Sequence, residues 1–312
     1  MKKTIALLCG GISSEREVSL KSGQQVLQSL DPDQYTVRRY DPRDDLPRLV
    51  ADAPLLDAAL ILLHGPYGED GTIQGLLELL DIPYQGAGVL GSALAMNKLA
   101  TKQLYEKWSI PTPPYVAVRR RDPLAAEAWV AQLGLPLVVK PVSGGSSIGM
   151  TIVRAVDQLA TAVEKAFEHD HAVLVEQYIQ GTEITGAVLG NDNPEALPLI
   201  EIIPDPRCEF FNFEAKYTAG VTREICPAPL APDLAEKAQG WACAAHRALF
   251  CKGYSRTDMI LKGDAIYVLE TNTIPGMTPT SLFPQAAQAA GISFPQLLDR
   301  LIELGIEAHR QR

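Results

Sequence analysis

The sequence predicts a mixed α/β protein divided into lobes, and three observations lead there. Short apolar runs alternate with amphipathic helical stretches through the first third of the chain, the pattern of a parallel sheet with helices on its faces. Pro111-Thr-Pro-Pro114 then interrupts as a rigid extended linker, since proline fixes φ and moves its predecessor out of helical geometry. Beyond it a second strand–helix alternation runs to Tyr178, after which strands predominate. With 312 residues the chain has room for two or three lobes, taking roughly 100–200 residues for each.

In chain order, Thr4–Cys9 reads as a buried strand, Gly10–Ser14 as a loop and Glu15–Leu30 as an amphipathic helix with Val18, Leu20, Val26, Leu27 and Leu30 inward. Strands follow at Tyr35–Tyr40 and Ala58–Leu63, with a helical segment near Leu46–Ala51 between them. Functional loops of a parallel sheet lie at the strands' carboxyl ends, which singles out Gly10–Glu15 and His64–Gly71. The first lacks G-x-G-x-x-G spacing, so no dinucleotide site is assigned. Val89–Glu106 reads as one continuous helix. After the prolines come strand Tyr115–Val118, helix Pro123–Leu133, strand Leu137–Lys140, a Gly/Ser loop, strand Met150–Val153, helix Asp157–Phe167 and strand Ala172–Tyr178. Strands Glu183–Leu189 and Ala196–Ile203 lead into an irregular stretch, Pro204–Pro229, and then helix Asp233–Phe250. Two more strands, Tyr254–Lys262 and Ile266–Thr271, form a hairpin, and helices Pro284–Ala290 and Phe294–His309 close the chain.

Composition excludes several classes. A net charge of −9 argues against a nucleic-acid platform, which needs clustered Lys and Arg. Five scattered cysteines without a C-x-x-C pair suggest neither a zinc site nor a disulfide framework, but small buried hydrophobes in a reducing cytosol. The apolar run after Lys2-Lys3 is too short for a signal peptide, and none approaches the ~18 residues of a membrane span. A soluble, cytoplasmic protein is expected.

The hairpin carries the strongest chemical signal. Side chains alternate along a strand, so Arg256, Asp258 and Ile260 share one face, and Ile266, Val268, Glu270 and Asn272 share one on the partner. A three-residue loop, Gly263–Ala265, sets Asp258 opposite Glu270 and Arg256 opposite Asn272. Two carboxylates across a ladder repel; a divalent cation would remove that penalty, and Asp, Glu and an Asn carbonyl are hard oxygen ligands for Mg²⁺. A solvated hairpin face is the alternative. The Thr-Ile-Pro-Gly turn beyond offers amide N–H groups suited to an anion.

Other stretches admit two readings each. Gly144, Gly145 and Gly149, with the hydroxyls of Ser146 and Ser147, permit close approach to a ligand, or form a plain hairpin loop. Lys140 ends an apolar strand beside that loop, and lysines are seldom buried unpaired, so a phosphate is its expected partner. Glu176, Ile179 and Glu183 stand where a nucleotide could lodge between lobes, or on solvated strand ends. His64 is catalytic or structural, and Glu15 binds a ligand or serves its helix dipole. Lys216-Tyr217 lies in a long irregular segment of the kind that forms lids. Ser281-Leu282 contacts a ligand or merely begins a helix.

Nine collinear stretches resemble the D-alanine–D-alanine ligases of the ATP-grasp superfamily: GGISSEREVSL, HGPYGEDGTIQGLLELLDIPYQGAG, SALAMNKLATK, VVKPVSGGSSIGM, VEQYIQGTE, EAKY, ICPAPL, SRTDMIL and ETNTIPGMTPTSL. The resemblance implies an ATP-grasp fold of three α/β lobes: 1–98 an N-terminal substrate-side domain, 99–182 a central domain, and 183–312 a C-terminal catalytic domain, with ATP between the last two. It implies ligation of two D-alanines through an acyl phosphate, for peptidoglycan precursor synthesis, by a cytoplasmic homodimer using Mg²⁺ (two ions, with Mn²⁺ as substitute). Lys98, Lys140, Ser147, Glu176, Ile179, Glu183 and Lys216 are then nucleotide contacts, and Asp258, Glu270 and Asn272 metal ligands. Glu15 holds the first D-alanine's ammonium, with His64 nearby. Arg256 and the Gly276 N–H face the oxyanion, Ser281 and Leu282 the second substrate's carboxylate, and Tyr217, Ser146 and Glu15 close a lid. Neither membrane nor nucleic acid is an implied partner.

The chain departs from the family pattern at Ser143-Gly144, Gly186, Phe211-Asn-Phe213, Ile274 and Pro279-Thr280. The last adjoins the second-substrate subsite and admits D-serine, D-lactate or another D-amino acid as acceptor, although Tyr217 favours an amino acid. A nucleotide-binding sensor without catalysis is the remaining alternative.

Overall fold

The computed structural model describes residues 2–145, 148–204, 222–278 and 280–311. Strands β1 (Lys3–Leu8), β2 (Tyr35–Tyr40) and β3 (Ala58–Ile61) form a parallel sheet in the order β2-β1-β3. Because β1 alternates, Ile5 and Leu7 enter one core and Ala6 and Leu8 another on the opposite face. The first core is completed by α1 (Arg16–Ser29) and by two helices from the far end of the chain, α9 (Leu282–Ala289) and α10 (Phe294–Arg310), through Phe283, Leu297 and Leu301. The second takes Leu49 of α2 (Leu46–Asp52) and Ile73 and Leu77 of α3 (Thr72–Leu79), a helix the sequence pattern did not single out.

The expected helix over Val89–Glu106 is two helices, α4 (Val89–Met96) and α5 (Lys98–Lys107). Asn97 separates them: its backbone is extended, and its Oδ1 accepts the Ala100 amide at 2.9 Å. Asn offers the backbone this local alternative and so favours a cap over a helix interior. The break sets the Lys98 amide on the Val142 carbonyl at 2.9 Å and pairs Asn97 with Ser143.

The middle of the chain forms an antiparallel four-stranded sheet, β4 (Tyr115–Arg119), β5 (Leu137–Pro141), β6 (Thr151–Val153) and β7 (Ala172–Gln177), in the order β4-β7-β5-β6. Leu137, Val139, Val173 and Val175 turn to a core under α6 (Ala126–Leu133) and α7 (Leu159–Phe167). The other face presents Val138, Lys140 and Glu176 to a cleft.

The third sheet has six strands. β8 (Thr182–Leu189) is flanked by β10 (Ile200–Pro204) and β12 (Tyr254–Lys262), with β11 (Thr222–Ile225) beyond β10, β13 (Ala265–Asn272) beyond β12, and β9 (Glu195–Ala196) against β8. The strand expected at Ala196–Ile203 is split because Pro198, lacking an N–H, cannot continue a ladder. β11 lies inside the stretch expected to be irregular. Helix α8 (Pro232–Ala248) covers one face through Ala238, Ala242 and Ala245, and Tyr105 of α5 joins that core.

Arg256 pairs with Asn272 and Asp258 with Glu270, as the sequence predicts, but by another route. The turn is two residues, Gly263-Asp264, because Lys262 pairs with Ala265. That register alone would set Asp258 against Leu269. A bulge leaves Leu269 as an extra residue in β13 and restores Glu270 opposite Asp258. It also corrects the expected faces. Ile266 and Val268 enter the core, while Leu269 and Glu270 line the cleft with Asp258 and Ile260.

Two departures from the family pattern have packing reasons. Ile274, 2% exposed, fills the core beside Leu63 and Tyr84. Gly186 faces α8, where an added Cβ would lie 2.8 Å from Ala242 Cβ and 3.2 Å from Met259 Cε. Small residues on both sides let helix and sheet approach. Gly186→Val should therefore lower stability by about 1–3 kcal/mol, the usual cost of overpacking; an unchanged urea midpoint would contradict it.

Candidate active site

Two cavities adjoin at the centre of the molecule. The smaller, about 150 Å³, lies between the four-stranded and six-stranded sheets. The larger, about 650 Å³, lies between the N-terminal lobe and the far side of the hairpin. Lys98, Gly144, Gly145 and Glu270 line both. Of the residues singled out from sequence, Lys98, Lys140, Glu176, Ile179, Glu183, Asp258 and Glu270 border the smaller cavity. Glu15, His64, Arg256, Asn272, Gly276, Ser281 and Leu282 border the larger. Ser146, Ser147, Lys216, Tyr217, Phe211, Phe213, Pro279 and Cys208 lie outside the described residues.

In the smaller cavity, apolar Val138, Ile148, Ile152, Ile179, Ile260 and Leu269 form a slot suited to a flat ring. At its inner end Lys140 donates to Glu176 Oε1 at 2.5 Å, and Lys102 lies 2.9 Å from Oε2. Where the sequence predicts a phosphate as the partner of Lys140, the structure pairs it with the carboxylate of Glu176. Burial alone would raise the Glu176 pKa, but the charges of Lys140 and Lys102 outweigh it and hold it at about 2. Lys98 donates to the Gly144 carbonyl across the shared wall. Gly144 has φ +109°, in the left-handed region that favours glycine.

On the hairpin, Arg256 grips Asp258 with two hydrogen bonds, Nε to Oδ1 at 2.9 Å and Nη2 to Oδ2 at 2.8 Å. Thr185 Oγ1, from the facing strand β8, adds a third to Oδ1 at 2.6 Å. The repulsion between Asp258 and Glu270 that the sequence assigned to a cation is thus offset here by Arg256. The Glu270 side chain makes no hydrogen bond or ion pair among the described residues. Asn272 Oδ1 accepts the Ile274 amide at 2.8 Å. On the core side Tyr105, Thr271 and Thr257 form a hydroxyl chain with spacings of 2.7 and 2.8 Å that fixes the strand pair. No three His, Cys, Asp or Glu side chains among the described residues converge as metal ligands. Two facing carboxylates and an amide oxygen nevertheless suit a hard divalent cation, which would share Asp258 with Arg256.

In the larger cavity, Glu15 stands at the N-terminus of α1 without capping it, and its Oε2 points toward Gly65. His64, 7% exposed, has no hydrogen-bond partner at Nε2 among the described residues; burial moves its pKa below the ordinary value, while Glu15 opposes that shift. Ser281 does begin a helix, with Leu282 as its first residue, so the N-terminal end of α9 opens on the cavity. Ser281 Oγ meets Thr278 Oγ1 at 2.7 Å, closing the loop that carries Gly276.

Sequence reasoning missed Lys102, Thr185 and the Thr257–Thr271 pair. One signal was available: Lys98 and Lys102 are four apart on a helix, a repulsive spacing that calls for an anion. Thr185 gave none, since its role depends on which strand pairs with β12.

Residues 104–303 match the family model described as D-ala D-ala ligase C-terminus, and residues 38–87 match D-ala D-ala ligase N-terminus. The chain is 62% identical to a D-alanine–D-alanine ligase of Syntrophobacter fumaroxidans, over 98% of each chain. It is 52% identical to one of Desulfotalea psychrophila, over 97% of this chain and 95% of that one. Among solved structures it is similar to the D-alanine–D-alanine ligase of Bacillus anthracis complexed with ATP, with a TM-score of 0.87 and 37% identity over 99% of both chains.

Glu69, which also lines the larger cavity, gives the site a pH signature. Burial pushes its carboxyl up to about 8, opposed by the Gly65 amide and reinforced by Glu15. With a folded pKa above the unfolded one, the folded state keeps a proton that the unfolded chain releases. Stability relative to Glu69→Gln should then be greatest below pH 4.5 and fall as pH rises through about 8. Thermal unfolding of both proteins without nucleotide checks this; a constant difference would refute it.

Proposed function

The chain belongs to the D-alanine–D-alanine ligase family and has the ATP-grasp fold, and from that premise we propose that it joins two D-alanines into D-alanyl-D-alanine, driven by ATP, for peptidoglycan precursor synthesis. The wall common to both cavities carries this reading. A nucleotide in the slot directs its terminal phosphate to Lys98, Gly144, Gly145 and Glu270, where a substrate in the larger cavity directs its carboxylate.

A carboxylate has no adequate leaving group for attack by an amine. In the proposed sequence the first D-alanine's carboxylate attacks the γ-phosphorus, ADP departs and an acyl phosphate remains. The second D-alanine, its amine deprotonated, attacks the acyl carbon, and the tetrahedral oxyanion collapses with loss of phosphate. Ile179 and Glu183 hold base and ribose, beside the buried Glu176. Lys98 and Lys140, with Ser147 and Lys216, receive the phosphates. Glu15 takes the first ammonium, and neutral His64 packs beside it. Arg256 and the Gly276 amide stabilise the oxyanion, donors of a kind worth roughly 3–4 kcal/mol each. The N-terminus of α9 at Ser281-Leu282 suits the second carboxylate. Tyr217, Ser146 and Glu15 close the site against water, which would hydrolyse the acyl phosphate. Asp258, Glu270 and Asn272 would hold Mg²⁺, which would supply positive charge against that of the triphosphate. Family likeness also supports a cytoplasmic homodimer. No helix among the described residues is long and apolar enough to cross a membrane.

A second reading keeps this chemistry and takes D-serine or D-lactate as acceptor, because Thr280 lines the larger cavity beside Ser281. Incubation with D-alanine and Mg-ATP should yield ADP, phosphate and dipeptide in equal amounts; ADP without dipeptide would count against the proposal. Mass spectrometry of products from mixed acceptors should show D-alanine incorporated, and exclusive use of another acceptor would favour the second reading. Glu270→Gln should lower kcat on the order of a hundredfold or more; undiminished phosphate release would overturn its role.

A further inference from the structure

Lys102 is the most deeply buried cation at the site among the described residues, yet the ligation chemistry gives it no task. It is 0% exposed and does not line the slot, whereas its partner Glu176 does. Its ammonium forms an ion pair with Glu176 Oε2 at 2.9 Å, donates to Thr112 Oγ1 at 2.8 Å and to the Pro113 carbonyl at 3.0 Å, and sits 5.0 Å from the centre of the Tyr115 ring. Two of its three protons are thus committed to neutral oxygens, which hold it in place beside the carboxylate. Lys140 contrasts with it. Its side chain is 12% exposed, it lines the slot, and Glu176 is its partner among the described residues.

The two lysines therefore relate to one carboxylate in different ways. Lys102 is fixed on three sides, whereas Lys140 is held at one point and faces the space a nucleotide would fill. A triphosphate entering the slot competes with Glu176 for Lys140. If Glu176 had no other partner, drawing Lys140 away would leave a buried, unpaired carboxylate close to the incoming phosphates. Both the desolvation of that charge and its repulsion would oppose nucleotide binding.

We propose that Lys102 is a positioning residue: a permanent counter-ion that keeps Glu176 neutralised, so that Lys140 is free to move from Glu176 to the nucleotide phosphates. Glu176 in turn parks Lys140 at the inner end of the slot while no nucleotide is present. The proposal rests on the ligase reading, because it needs a polyphosphate in the slot. Burial pushes the Lys102 pKa down, and the charge of Glu176 opposes that shift.

The test is ATP affinity, measured by calorimetry on the full chain alongside adenosine, which lacks phosphates. Lys102→Met should bind ATP at least about tenfold more weakly than the wild type and adenosine about equally. In a Glu176→Gln background no charge is left to neutralise, so adding Lys102→Met should change ATP affinity less than about twofold. That comparison stands even where Lys102→Met alone does not fold, because a buried ion pair replaced by neutral groups is tolerated better than a broken one. ATP binding by Lys102→Met equal to that of the wild type would overturn the proposal. So would an equal loss for adenosine, or a tenfold loss on adding Lys102→Met to Glu176→Gln. Failure of the wild type to bind ATP at all would instead remove the ligase reading, and this proposal with it.

Discussion

The bulge at Leu269 is the constraint on which the site depends. With a two-residue turn and no bulge, the alternation of β13 would carry Glu270 to the core side with Ile266 and Val268. One extra residue moves Glu270 to the cleft and opposes it to Asp258, a costly arrangement for two acids. Arg256, two residues from Asp258 on the same face, offsets the cost, and Thr185 on β8 anchors the same carboxylate. The charged face is held in register by the Tyr105–Thr271–Thr257 hydroxyl chain behind it.

The remaining architecture arranges walls around that face. The last two helices of the chain pack on the first sheet, so the larger cavity is bounded by segments from both ends of the sequence. That packing belongs to one continuous apolar core, which sets Glu15 and His64 relative to Ser281 and Gly276. The central sheet meets the hairpin across the smaller cavity instead, through cleft-facing Val138 and Lys140 on one side and Ile260 and Leu269 on the other. A packed apolar core therefore holds two lobes together, and an open slot with largely apolar walls separates the third.

Much of this was legible in the sequence. Alternation identified the parallel N-terminal sheet, and the carboxyl-end rule pointed to the loops that carry Glu15 and His64. The Asp258–Glu270 pairing was also legible, although a wrong turn length and an unseen bulge cancelled; a bulge has no period-2 signature because it is a break in that period. The split at Asn97 was obscured by apolar residues continuing at helical spacing on both sides. Pro198 was a visible reason to divide the expected strand at Ala196–Ile203. The spacing of Lys102 from Lys98 signalled an anion but not which one, and Thr185 gave no signal, because their partners lie 74 and 73 residues away and depend on sheet order.

The junction at Asn97 has a mechanical consequence. The first turn of α5 is stitched to the central sheet by the Lys98 amide, the Asn97–Ser143 pairing and the Lys98 side chain on Gly144, while Tyr105 in the same helix is sunk in the core beneath the hairpin. A swing of the central sheet away from the hairpin must either tear those stitches or drag Lys98 with it. The ammonium at the meeting point of the two cavities is thereby geared to the central sheet, so any displacement of that sheet also changes the wall the two cavities share.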